Sequence, residues 1–100
     1  MAVVRAYVLA TCPDAKIRDG RRAITAAEEA RRLADGTMAL MVHTCLAVAH
    51  AEAGHFAKAI DHQKKAIDLT PEEEKPHQRD RLRLFESGKP FHERRAFGSP

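Results

Sequence analysis

AKAIDHQKKAIDL, residues 57–69, repeats the pattern of RRAITAAEEARRL, residues 21–33, at an offset of 36. Ala23 meets Ala59, Ile24 meets Ile60, Ala30 meets Ala66 and Leu33 meets Leu69, and the same offset sets Tyr7 against His43. Four identities in thirteen lie within the reach of chance in alanine-rich helices, but their spacing is more telling. Positions 23, 27 and 30 share one helical face, as do 59, 63 and 66. Self-similarity at a fixed period marks stacked supersecondary units. The plain reading is two helical hairpins of about the same length, side by side.

Composition points the same way. One hundred residues make at most one small domain. Hydrophobic residues are 44% of the chain but many are alanine, and aromatics are only 5% with no tryptophan. Such a chain packs by close approach of small side chains. β-Branched and aromatic residues never alternate with polar ones over a convincing run, whereas helix formers dominate. The expected class is all-α. A formal net charge of +3 permits weak attraction to nucleic acid without demanding it. No run approaches a membrane span, and two cysteines, Cys12 and Cys45, are too few for a disulfide framework.

Punctuation divides the chain into helices. The first is expected over about Ala2–Cys12, stopped by Pro13, which lacks an N–H and disfavours helix in the residue before it. Asp19 caps a second that runs to about Ala34, closed by Gly36. Thr37 is expected to cap a third reaching Ala53 before Gly54, and the fourth spans about Phe56–Leu69. In TPEE, Thr70 is the expected cap, Pro71 the first helical residue and Glu73 the capping-box partner. Pro76 then implies one turn over 71–75 and a main helix over about 76–87, stopped by Gly88 and Pro90. Residues 89–100 read as a tail, with Phe91 and Phe97 able to dock on the body.

The stretch LMVHTCLAVAHAEAGHFAKAIDHQKKAIDLTPEE (40–73) resembles a tetratricopeptide repeat (TPR). Leu46 and Ala47 stand at its Leu-Gly/Ala pair, Gly54 and Phe56 at the turn, Ala59 and Ala66 at the small positions of the second helix, and Pro71 at the end. His43, His50 and Gln63 stand where that repeat usually has large aromatics. Residues 1–36 resemble a degenerate preceding repeat. AYVLATCPDAKIRDGRRA, AEAGHFAKAI and RLRLFESGKPF together are similar to C-terminal TPR segments of large bacterial proteins, planctomycete ones in particular. The resemblance implies an α-solenoid of antiparallel helical hairpins over residues 1–88. Residues 1–36 would be a degenerate repeat, 37–70 a full repeat and 71–88 a capping, solvating helix.

YVLATCPDAKIRDGRRA (7–23) could pass for a lipoprotein signal, but only Met1 and Ala2 precede its apolar run, Arg5 interrupts it, and Thr11 fits a cleavage site poorly. Cys12 or Cys45 as nucleophile would need a base and an electropositive setting, and no such constellation is nearby. Six histidines invite a metal. Yet His43 and His50, seven apart, sit about 10.5 Å apart along a helix axis, and His55 and His62 repeat the problem. The arginines of RDGRRA and RDRLRL are diluted by acids and lack interleaved aromatics for base stacking. No Gly-rich phosphate loop or serine constellation is present, so no enzymatic activity is expected.

The expected function is a protein-interaction module, a scaffold binding a peptide or partner helix. In the resembled family the inner faces of the first helices line the groove. This carries over to Met41, Thr44, Val48, Ala51 and Glu52 in the full repeat, and to Arg5, Val8 and Cys12 in the truncated one. The alternative is a structural end piece that self-associates or caps a longer array, since about three repeats are usually needed for a continuous core. Nucleic-acid binding is a less favoured third class. No cofactor, metal or membrane partner is expected, a homo-oligomer remains open, and the expected location is a bacterial cytoplasm.

Overall fold

ALMVHTCLAVAHAE, the helix α3 (Ala39–Glu52), carries a single charged residue at its last position. A helix that is apolar all round belongs inside a fold. In the computed structural model, α3 lies against α1 (Ala2–Thr11), α2 (Gly20–Leu33) and α4 (Phe56–Leu69). The structure describes residues 2–12, 14, 16, 18–34 and 36–92, with side chains from Arg5 onward. A fifth helix, α5 (Lys75–Glu86), packs on α4, and single 3-10 turns precede α3 (Gly36–Met38) and α5 (Glu72–Glu74). The described residues contain no strand, and no helix among them is long and apolar enough to cross a membrane.

The two related stretches use the matched face as the spacing predicts. Ala23, Ala27 and Ala30 of α2 are buried, and so are Ala59, Gln63 and Ala66 of α4. Small side chains let the helices approach closely, so the core is largely alanine, filled in by Leu46, Val48 and Phe85. Burying one alkyl side chain contributes only about 1.5–3 kcal/mol, and alanine much less. Stability therefore rests on close contact along the helices more than on a few large anchors. The matched pair Leu33 and Leu69 behaves differently, being 76% and 48% exposed at the ends of α2 and α4.

Helix ends follow the expected local chemistry at Asp19 and Gly54 and depart from it at Thr37 and Thr70. Asp19 caps α2, its carboxylate accepting from the Arg22 N–H at 3.1 Å. The α3–α4 turn closes on Gly54 at φ +87°, a left-handed conformation that favours glycine. There the His55 N–H donates to the His50 carbonyl at 2.7 Å, a Schellman closure. Thr37 does not cap α3: it lies within the 3-10 turn, and Met38 holds the cap position without a side-chain bond. The Thr70–Glu73 capping box does not form either. The Thr70 hydroxyl turns back to donate to the Ala66 carbonyl at 2.6 Å, ending α4 instead of starting α5. Pro76 falls in the first turn of α5, where its missing N–H costs nothing. Phe91 docks on the core, whereas the stop assigned to Pro13 and the docking assigned to Phe97 lie outside the described residues.

Candidate functional site

Three helices contribute to one apolar cleft of about 400 Å³. Tyr7 and Val8 come from α1, Leu40, Met41, Thr44 and Cys45 from α3, and Gln78 from α5. Val8 and Met41 stand 43% and 47% exposed on it, large apolar side chains at a surface that no other described residue covers. A concave apolar site with a few polar groups has the general character of a binding site. Beside the cleft, the Arg81 guanidinium lies 4.3 Å over the Phe91 ring, and its Nη2 donates to the Tyr7 hydroxyl at 3.4 Å. The α1–α5 contact thus steadies one wall.

Of the eight positions assigned to the groove, three reach it: Val8, Met41 and Thr44. Val48 and Ala51 do not, because α3 is enclosed by its neighbours from Cys45 to Ala51 and both side chains are buried in the core. Arg5 lies elsewhere, in a smaller hollow with Leu9, Arg22, Thr25, Ala26 and Glu29, 3.7 Å from the Glu29 carboxylate. Glu52 accepts from His92 Nε2 at 2.7 Å, and Cys12 is half-buried just beyond α1. Sequence reasoning missed Tyr7, Leu40, Cys45 and Gln78. Their signal was available in part: Tyr7 is the one aromatic of α1, and Leu40 and Cys45 flank predicted positions on the same helix.

Neither cysteine is in a disulfide. Burial pushes the Cys45 thiol up to about 11, with the Arg81 charge pulling weakly the other way. A thiol so held is protonated and covered, the opposite of a nucleophile's setting. In the native protein at pH 8, a thiol-titrating disulfide reagent is expected to consume one equivalent rapidly, at Cys12, and two only in denaturant. Two fast equivalents without denaturant would contradict the burial of Cys45.

The second grouping is one that spacing along a single helix concealed. The α3–α4 turn brings α4 back along α3, so that His62 falls between His43 and His50. The His43 and His62 rings stack with centroids 5.3 Å apart, and their Nδ1 atoms are 3.1 Å apart. His62 and His50 stack at 5.9 Å, and His50 meets His55 at 5.6 Å with Nδ1 atoms 3.4 Å apart. The result is a ladder of four imidazoles joining the two helices. Burial lowers the proton affinity of His43, with help from Lys65 and Arg31, and that of His50, with help from Lys58 and His55. His62 is held at about 4, first by burial and then by His43, His50 and Lys65. Among the described residues no three His, Cys, Asp or Glu side chains converge to hold a metal ion. Compared with protein-family models, with curated proteins and with solved structures, the chain gives no match.

Proposed function

We propose that the chain is a tetratricopeptide-like interaction module that takes an apolar anchor of a peptide or partner helix into the α1–α3–α5 cleft. The observation that carries this reading is the cleft itself, walled by alternate helices of the chain and floored by exposed Met41 and Val8. The repeat offset of 36 supports it, since α1, α3 and α5 would then be the first helices of successive units. Met41 suits such a role because an unbranched thioether adapts to varied partners, and an amphipathic helix laid in a groove presents anchors at the required spacing. Tyr7, Thr44 and Gln78 supply the polar groups that would fix orientation.

The test is selection of peptides from a random display library on the intact chain. Enriched peptides should share a large apolar residue and lose at least about tenfold in affinity on Met41→Lys, a loss of about 1.4 kcal/mol. They should bind Leu33→Lys as well as the parent, because Leu33 lies away from the cleft. Selection that enriches nothing, or peptides indifferent to Met41→Lys, would overturn the proposal. The competing reading, a self-associating end piece, draws on the exposure of Leu33 and Leu69. It predicts a dimer in light scattering that Leu33→Lys dissolves.

A further inference from the structure

We infer that the four histidines between α3 and α4 form an acid-released latch: neutral, they zip the hairpin together, and doubly protonated, they part it. At 3.1 Å, the Nδ1 atoms of His43 and His62 share one hydrogen, one ring donating and the other accepting through its lone pair. The His50–His55 pair at 3.4 Å has the same character. A first proton can enter such a pair at an outer nitrogen while the shared hydrogen stays in place. A second cannot, because both Nδ1 atoms then carry hydrogens that face each other, and two cations stand 5.3 Å apart centre to centre. The pairs are coupled through the His50–His62 stack, so a charge on one pair opposes a charge on the other.

The surroundings do not relieve the repulsion. Lys58 and Lys65 face the ladder from α4 and Arg31 from α2, against Asp61 on α4 and Glu28 on α2. The α1 charge, Arg5, is occupied with Glu29, and Arg81 of α5 is turned to Tyr7 and Phe91. Three cations against two anions leave the field around the ladder positive. The Schellman closure at Gly54 holds the backbones of His50 and His55 side by side, which brings their rings together at the end of the ladder.

The sign of the pH dependence follows from linkage. His43, His50 and His62 bind protons less readily folded than unfolded, so their contribution is complete above the unfolded value of 6.5 and is lost as pH falls. For His62 the loss continues down to about 4. The unfolding constant is expected to rise at least about tenfold between pH 7 and pH 5, a range above most carboxylate titrations. His62→Gln keeps hydrogen bonding without a titrating ring, and should flatten that rise to about threefold or less. If His62→Gln fails to fold, His43→Gln, which removes the ring stacked on His62, should likewise lessen the rise. Proton NMR titration of the imidazoles in the unmodified chain provides the direct reading. His62 titrating well below 6.5, with amides of α4 losing exchange protection at pH 5, supports the latch. His62 titrating at or above 6.5, or a variant slope equal to the parent's, overturns it.

Discussion

Gly20→Ala lowers the unfolding free energy by about 2 kcal/mol, a large effect for the addition of one methyl group. A Cβ at Gly20 would stand 2.7 Å from the Ala53 nitrogen, 2.8 Å from its Cα and 3.0 Å from the Glu52 carbonyl carbon. Every one of these atoms is backbone, so no rotamer change can make room. The start of α2 must move off the end of α3, opening the alanine-lined seam between them. Working the other way, alanine is a better helix former than glycine by about 1 kcal/mol in a helix interior, and by less in the first turn. The clash wins because it is shared by two rigid helices, and overpacking of this kind costs about 1–3 kcal/mol. Thermal melts followed by circular dichroism should show a midpoint about 8–16 °C below the parent's. Gly36→Ala is the control: nothing lies within 4 Å of a Cβ there, and the midpoint should barely change. A Gly20→Ala protein as stable as the parent would mean that α2 and α3 do not meet at this point.

The helices and their buried faces were legible because periodicity reports burial directly, and α2 and α4 bury the alanines that the repeat aligned. Two kinds of feature were not. The first is the choice between competing local bonds: Thr70 could cap α5 or close α4, and the hydroxyl takes the nearby Ala66 carbonyl. The second is anything that depends on how the helices lie against one another. Val48 and Ala51 fit the groove by helical position, yet α1, α2 and α4 enclose that half of α3, so only its first turns reach the cleft. The histidines show the same gap more sharply. Along one helix His43 and His50 are too far apart to interact. Stepping seven residues back from His50 and seven forward from His55 gives His43 and His62, a symmetry about the Gly54 turn that an antiparallel return converts into contact. The signal was in the spacing across the turn rather than along either helix.

Phe85→Ala releases α5 from the body and removes one wall of the cleft. Phe85 is the only buried residue of α5 and is 1% exposed. Truncating a buried phenylalanine costs about 3–5 kcal/mol, a large part of the 5–15 kcal/mol that holds a typical domain. The loss is expected to fall unevenly. What else holds α5 is half-buried: Leu84 at the core edge, Gln78 receiving hydrogen bonds from Gln63, and Arg81 against Tyr7 and Phe91. The core of α3, by contrast, is enclosed by three other helices. Hydrogen exchange should therefore show amides of Gln78–Glu86 approaching unfolded rates while those of Leu46–Ala51 stay protected. Because Gln78 lines the cleft and Arg81 steadies Tyr7 in it, peptides selected on the parent should bind Phe85→Ala more weakly, although Phe85 itself does not line the cleft. A uniform loss of protection across all helices would instead make α5 part of a single cooperative unit. Unchanged peptide affinity with α5 released would show that α1 and α3 alone hold the anchor.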